Sequence, residues 1–232
     1  MGDAPGIPAT RRGGTTLVLL AARPGDPQDA TTVTLPHADR VIAADSGLHL
    51  ATTLGVRVDL VIGDLDSVDP VILQQALAKG VATDVHPRDK DHTDLALALH
   101  EAATTAPREI VVVGGAGGRL DHGVANLMAL ADPLLSDVTP PDTRIRAWLG
   151  GARVEVVRNG TRTLDGTPDG LVSLLAVGGT AHGVTTAGLR WELIGADLPA
   201  TSTRGISNEL LGDTATVTVA DGCVLAIQPA AE

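Results

Sequence analysis

Residues 40–67, RVIAADSGLHLATTLGVRVDLVIGDLDS, carry the clearest structural pattern in this chain of 232 residues. Two apolar runs, 40–44 and 58–62, flank a helical pattern that ends near Leu54, with Gly55 placed to terminate it. A buried strand, a helix and a second buried strand in this order form the repeating unit of parallel sheets. The stretch therefore predicts an α/β fold.

The same alternation continues on both sides of this stretch. Further strands are predicted over residues 17–22, 81–85 and 109–113, and further helices over residues 70–80, 91–103 and 121–131. Asp91 is predicted to cap the helix 91–103, with Asp94 three residues on in a capping-box arrangement. Because the strands are apolar throughout, we expect a mostly parallel sheet with helices on both faces.

The pattern changes after Pro140-Pro141, where turn signals begin to recur at short intervals. Asn-Gly and Asp-Gly pairs separate strand-like segments, and no long helical period remains. This predicts a smaller, all-β sandwich domain. The expected organisation is a disordered tail over residues 1–15, an α/β domain over residues 16–140 and a β-sandwich over residues 141–232.

The composition excludes several classes of protein. The formal net charge is −11, whereas a protein that binds phosphate backbones needs a basic surface, so no nucleic-acid partner is expected. No apolar run approaches the ~20 residues needed to cross a bilayer, and no apolar segment near the start is typical of a secretion signal. Cys223 is the only cysteine, so no intrachain disulfide can form and a cytoplasmic location is expected.

A candidate site follows from the ends of the predicted strands, because ligands bind at the carboxyl ends of the strands in an open parallel sheet. The loops at that edge contain Asp45-Ser46-Gly47, Gly63-Asp64-Leu65-Asp66-Ser67, Arg88-Asp89-Lys90-Asp91-His92-Thr93-Asp94 and, within residues 114–122, Arg119-Leu120-Asp121-His122. Crowded carboxylates repel one another at neutral pH unless a hard cation lies among them, and Mg²⁺ is the natural choice. Lys90 and Arg119 are cations that suit phosphate oxygens.

Each feature alone also has a simpler explanation. The pair Asp64 and Asp66 is common in solvated turns, and Asp91 with Asp94 suits helix capping. Lys90 and Arg119 suit a solvated surface. The two familiar phosphate-binding patterns, G-x-x-x-x-G-K-[ST] and G-x-G-x-x-G, are absent from the loops that would carry them.

In their order and spacing, however, the four loops resemble the motifs of the thiamine pyrophosphokinase family. A second set of matching motifs lies in the predicted β-sandwich, at residues 183–191 (GVTTAGLRW) and 203–209 (TRGISNE). The chain departs from the family pattern at Ser46, Leu65 and Ala96, where the family often has glycine, an aromatic residue and glutamate. The resemblance implies an α/β catalytic domain joined to a β-sandwich that helps to bind thiamine.

The resemblance also implies an activity, which is Mg²⁺-dependent transfer of pyrophosphate from ATP to the hydroxyl of thiamine, giving thiamine diphosphate and AMP. The implied catalytic residues are Asp64, Asp66, Asp91, Asp94 and Arg119, of which Asp64, Asp66 and Asp94 bind the metal. The implied ATP-binding residues are Ser67, Lys90, Thr93, Arg119, Asp121 and His122, and the implied thiamine-binding residues are Asp45, Trp191, Ser207 and Asn208. A homodimer with sites shared between subunits is expected on the same grounds.

Trp191 suits thiamine because an indole face can stack on the flat aminopyrimidine ring. The alternative is a strand residue that fills the core, but the chain has only two tryptophans and no Phe or Tyr, so we favour the functional interpretation. Two other classes of function remain open. One is an Mg²⁺-dependent phosphotransferase or nucleotidyltransferase that uses another acceptor. The other is a non-catalytic ligand-binding protein of the same fold. AMP release that requires thiamine separates the pyrophosphokinase from both.

Overall fold

The structure is a computed structural model that describes residues 13–21, 34–115 and 119–230. The chain divides into two units. The first comprises the described residues up to Ala129 together with residues 134–150, and the second comprises residues 130–133 and those from Gly151 onward. Most of the predicted tail, Ala22, and residues 116–118 of the glycine-rich loop lie outside the described residues.

The first unit contains a parallel sheet. Its strands are β1 (Thr15–Leu19), β2 (Arg40–Ala44), β3 (Leu60–Gly63), β4 (Ala82–Val85), β5 (Glu109–Val113) and β6 (Arg144–Leu149). They lie in the order β6-β5-β1-β2-β3-β4, and every neighbouring pair is parallel. The predicted parallel sheet is therefore confirmed.

Helices cover both faces of this sheet. They are α1 (Gly47–Thr53), α2 (Pro70–Ala78), α3 (Asp94–Ala103), α4 (Leu120–Leu130) and α5 (Pro133–Val138). The side chains of α1 and α2 pack in one core cluster with Leu17 and Leu19 of β1. Successive side chains of a strand alternate between faces, and α3 contacts β1, β2 and β3 without joining that cluster, so it covers the opposite face. No helix among the described residues combines the length and the apolar character needed to span a membrane.

The ends of α2 follow directly from the sequence. The Asp69 carboxylate accepts hydrogen bonds from the backbone N–H groups of Val71 and Ile72, and Pro70 occupies the first helical position. Gly80 lies just beyond the helix with a φ of 81°, a conformation that glycine adopts without strain. The predicted limits of this helix are confirmed.

The predicted cap of α3 is wrong. The helix begins at Asp94, and its cap is Thr93, whose hydroxyl accepts a hydrogen bond from the Ala96 N–H at 3.2 Å. Thr93 has the extended backbone that a cap requires, whereas Asp91 lies in an exposed bend before it. Asp94 is therefore a first-turn residue, where its negative charge suits the helix dipole.

The two units meet in sequence at Gly150, ten residues beyond the predicted boundary between residues 140 and 141. The Pro140-Pro141 pair lies between α5 and β6, which pairs in parallel with β5. Thr143 anchors this connection by donating its hydroxyl to the Pro107 carbonyl at 2.7 Å. The proline pair therefore marks a loop within the α/β unit, and α5 was not predicted.

The second unit is antiparallel. Its strands are β7 (Ala152–Asp165), β8 (Leu171–Ala176), β9 (Ala181–Ala187), β10 (Ala196–Leu198), β11 (Asn208–Glu209) and β12 (Thr214–Gln228). One edge of β12 pairs with β7, and the other is shared by β9 and β8, with a bulge between Val219 and Cys223. Alternate residues such as Val172 and Leu174 point into an aliphatic core.

Candidate active site

Two loops at the carboxyl edge of the parallel sheet bring aspartates together. Asp45 follows β2 with a φ of 47°, a left-handed conformation that aspartate tolerates better than most residues. Asp64 and Asp66 follow β3, and Leu65 between them has a φ of 60°. That conformation costs an ordinary residue roughly 1–2 kcal/mol, and such strain tends to cluster at functional sites.

Asp45, Asp64 and Asp66 form what we call the carboxylate cluster, in which one ligand oxygen from each lies within 4.8 Å of the others. Ser67 donates its hydroxyl to Asp45 Oδ2 and lies 3.3 Å from Asp66 Oδ1. Asp45 is 8% exposed, and its Oδ1 has no hydrogen-bond partner among the described residues. A buried carboxylate oxygen without a donor, beside two further carboxylates, fits a hard divalent cation.

Lys90 links the carboxylate cluster to α3. Its Nζ lies 3.1 Å from Asp64 Oδ2 and 2.9 Å from Asp94 Oδ1. Burial alone would lower the pKa of Lys90, but its hydrogen bonds to Asp94 and Asp64 and their charges outweigh burial and raise it. The hydrogen bond from Lys90 in turn lowers the pKa of Asp64. The ammonium group is therefore held between two carboxylates.

Asp94 lies close to the cluster because Gly63 leaves room for it. A Cβ at position 63 would lie 2.8 Å from Asp94 Oδ1 and 3.2 Å from the Cβ of Asp45. Burial raises the pKa of Asp94, and the neighbouring Lys90 does not offset this effect. The sequence grouped Asp94 with Asp64 and Asp66 as metal ligands, whereas the structure groups Asp45 with those two and pairs Asp94 with Lys90.

The remaining predicted ATP-binding residues, Arg119, Asp121 and His122, lie at the start of α4. Arg119 binds Asp121 through two hydrogen bonds, of 3.2 Å from Nε and 2.6 Å from Nη2, and both side chains are 64% exposed. The guanidinium lowers the pKa of Asp121 to about 2. His122 is also exposed. These side chains are therefore accessible, but Arg119 is already engaged by a neighbouring carboxylate.

A cleft of about 600 Å³ joins most of the predicted residues of this unit. Its lining includes Asp45, Asp64, Asp66, Ser67, Lys90, Thr93, Asp94, Arg119 and His122, and it does not include Asp91 or Asp121. The sequence reasoning missed Asn126 and gave no role to Arg88, whose Nε lies 3.3 Å from Asp66 Oδ2. Asn126 lies four residues after His122 on α4, so helical spacing was the signal that could have found it.

The predicted thiamine residues of the second unit form a separate group. Trp191 is 56% exposed, so it does not fill the core. The Arg190 guanidinium lies 5.9 Å from the centre of its ring, within the range of a cation–π contact. Ser207 is exposed and has a φ of 57°, and its N–H donates to the Ser173 hydroxyl at 3.1 Å. Asn208 is buried, at 4% exposure, and its amide binds the backbone of Trp191.

Clustered carboxylates flanked by cations, at the carboxyl edge of a parallel sheet, are typical of metal-assisted enzymes that act on phosphate groups. Comparison with known families agrees with this class. Residues 32–139 match the model of the thiamin pyrophosphokinase catalytic domain, and residues 163–224 match the model of the thiamin pyrophosphokinase vitamin B1 binding domain. The chain therefore belongs to the thiamin pyrophosphokinase family.

Individual relatives support the assignment. Thiamine pyrophosphokinase of Bacillus subtilis is 26% identical over 188 residues, covering 81% of this chain and 86% of that protein. The crystal structure of thiamin pyrophosphokinase from Geobacillus thermodenitrificans matches with a TM-score of 0.72 and 26% identity, covering 94% of this chain and 98% of the other. The Bacillus subtilis crystal structure, at 23% identity and a TM-score of 0.76, covers 94% of this chain and 100% of the other, and shows the same fold.

Proposed function

We propose that this protein transfers the pyrophosphoryl group of ATP to the hydroxyl of thiamine. The observation that carries the proposal is the cleft of the first unit, in which Asp45, Asp64 and Asp66 converge beside Lys90. This unit matches the catalytic-domain model, and the exposed Trp191 lies in the unit that matches the vitamin B1 binding model. The proposal therefore rests on the side chains of the cleft and on the membership of the chain in the family.

The metal of the proposed reaction is Mg²⁺, held by Asp64 and Asp66, with Asp94 as a further ligand and Asp45 adjoining them. The metal ligands are hard carboxylate oxygens, which Mg²⁺ prefers. The buried Oδ1 of Asp45, which has no hydrogen-bond partner among the described residues, would be stabilised by a cation beside it. Bound Mg²⁺ would offset the charge of the phosphate oxygens and help to orient them. Lys90 pairs with Asp64 and Asp94 and so offsets part of the negative charge beside the metal site.

In the proposed reaction the thiamine hydroxyl oxygen bonds to the β-phosphorus of ATP. The bond from that phosphorus to the oxygen shared with the α-phosphate breaks, AMP leaves, and a carboxylate of the cleft accepts the hydroxyl proton. Lys90 and Arg119 supply fixed positive charge to the phosphates. Ser67, Thr93, Asp121 and His122 are proposed to contact ATP, and Asp91 to act at the rim of the same site.

Trp191 is proposed to stack on the aminopyrimidine ring of thiamine, with Ser207 beside it and Asp45 near the reacting end. Trp191 is 56% exposed, which leaves area for a flat ring. The overall charge of −11 favours the approach of a cationic thiazolium. The negative charge of the protein thus attracts cationic thiamine, whereas binding of the anionic ATP requires a metal ion.

The proposed assembly is a homodimer in which the thiamine site is shared between subunits. One face of α4 supports an interface, since Leu120, Val124 and Met128 follow one another at helical spacing and are 83%, 48% and 61% exposed. The start of this helix also lines the cleft. We further propose a cytoplasmic location, which the single cysteine, buried and unpaired, supports.

Product analysis tests the proposed function. The protein is mixed with ATP, Mg²⁺ and thiamine, and nucleotides and thiamine esters are separated by chromatography. AMP and thiamine diphosphate are expected in equal amounts, and neither is expected when thiamine is omitted. ADP as the main nucleotide product would replace the proposal with an ordinary kinase. Tight thiamine binding without any turnover would indicate a ligand-binding protein instead.

A further inference from the structure

The side-chain oxygen of Asn208 is fully engaged by backbone N–H groups, and its amide nitrogen donates to a backbone carbonyl. Its Oδ1 accepts hydrogen bonds from the Trp191 N–H at 3.1 Å and from the Glu209 N–H at 2.9 Å. Its Nδ2 donates to the Trp191 carbonyl at 2.8 Å. An amide oxygen has two lone pairs, so both are used, and the residue is only 4% exposed. Asn208 is therefore poorly placed to contact a ligand.

These hydrogen bonds hold a segment that has little other regular structure. Trp191 lies in a bend after the isolated bridge between Leu189 and Leu210. The Arg190 N–H still reaches the Glu209 carbonyl at 2.9 Å, as in a strand pair. At the next residue the Asn208 amide takes the place of a partner strand and satisfies both backbone groups of Trp191.

The indole ring is also restrained from one side. The Arg190 guanidinium near the ring is fixed by Glu209 at 2.9 Å and by Asp169 at 3.1 Å. With its backbone held by Asn208 and a guanidinium beside its ring, Trp191 presents the rest of its surface to solvent in a defined orientation. A ligand that stacks on a fixed ring does not have to order that ring first.

We propose that Asn208 is a positioning residue, which acts on thiamine only by fixing Trp191 and does not touch the ligand. This proposal rests on the proposed function, because it takes thiamine as the molecule that Trp191 receives. It assigns Asn208 a role different from the direct thiamine contact that the family resemblance implies.

A double-mutant cycle on thiamine affinity tests the proposal, with dissociation constants measured by equilibrium dialysis. Trp191→Ala is expected to weaken binding about tenfold, the usual effect of losing one stacked ring. Asn208→Ala is expected to weaken it about threefold, and the double variant no more than Trp191→Ala alone. If Asn208→Ala costs the same factor in both backgrounds, Asn208 contacts thiamine directly and the proposal is wrong. If it costs nothing in the wild-type background, the proposal is also wrong.

A second readout needs no substrate, so it stands even if the proposed function fails. In a Trp148→Phe background the fluorescence anisotropy of Trp191 reports the freedom of its ring. Asn208→Ala is expected to lower this anisotropy, and unchanged anisotropy would overturn the proposal. The matched control is Asn159→Gly, which removes another side-chain acceptor in the same unit, since the Gly222 N–H donates to Asn159 Oδ1 at 3.0 Å. It is expected to leave the anisotropy unchanged. If Asn208→Ala does not fold, Asn208→Asp replaces it in both measurements, since it keeps the shape and sets an acceptor oxygen, in place of the donor, against the Trp191 carbonyl.

Discussion

The ion pair between Arg40 and Glu101 makes a quantitative prediction about stability. Arg40 begins β2 and is 3% exposed, and its Nη2 lies 2.5 Å from Glu101 Oε1 near the end of α3. Its Nη1 also donates to the Glu101 carbonyl at 3.2 Å. We expect Glu101→Ala to destabilise the first unit, because among the described residues it leaves the buried guanidinium only the backbone acceptor.

The size of the loss follows from the burial of the two partners. Removing one member of a buried pair costs about 3–5 kcal/mol. Glu101 is 26% exposed and the carbonyl contact survives, so we expect the lower end, about 3 kcal/mol. Glu101→Gln keeps an acceptor and loses the charge, and is expected to cost about 1.5 kcal/mol. Arg57→Ala is the control, because Arg57 is 85% exposed and lies 3.8 Å from Asp59, which is a weak surface pair.

Urea unfolding followed by Trp148 fluorescence measures these losses, since Trp148 belongs to the same unit and packs against its core. The Trp191→Phe background removes the signal of the other unit. Arg57→Ala is expected to change the free energy of unfolding by less than about 0.5 kcal/mol. A loss below about 1 kcal/mol in Glu101→Ala would refute the reasoning, because it would mean that the guanidinium reaches water or another acceptor.

Three further predictions concern the site and the cysteine. Asp66→Asn is expected to lower turnover by at least about 100-fold without lowering the melting temperature, whereas Asp84→Asn, on the exposed strand β4, should leave turnover unchanged. Co-refolding Asp66→Asn with Trp191→Ala is expected to restore about a quarter of wild-type activity if dimers pair at random, and no recovery despite subunit exchange would contradict shared sites. Burial raises the pKa of the Cys223 thiol, so at pH 8 iodoacetamide is expected to label it only in the unfolded chain, and equal labelling of the native protein would contradict this.

Much of the first unit could be predicted because its signals are local. The apolar runs at β2 and β5 have the predicted limits, and Asp69, Pro70 and Gly80 define α2. The predicted domain boundary at Pro140-Pro141 differs from the observed one because a proline pair indicates a loop but not which strands that loop joins. The parallel pairing of β6 with β5 depends on residues more than 30 positions apart, which no local pattern records.

Some features of the candidate site could likewise be predicted from the sequence, and others could not. The convergence of Asp45, Asp64 and Asp66 was predictable, since carboxyl ends of parallel strands share one edge. The contact of Lys90 with Asp64 joins residues 26 apart, and that of Asn208 with Trp191 joins residues 17 apart. Distances between such side chains depend on packing and loop conformation, so the sequence identified the residues but not their partners.

The pairing of β12 has a consequence for how the chain is made. This strand, residues 214–228, is the shared partner of β7, β8 and β9, and it is synthesised after all of them. At about 5–20 residues per second, the ribosome needs roughly 4 to 15 s to go from the start of β7 to the end of β12. During that interval β7 and its neighbours have open strand edges, which favour association with other nascent chains. A nascent chain that stops before residue 214 therefore lacks the strand that β7, β8 and β9 share, and its second unit cannot complete the sheet.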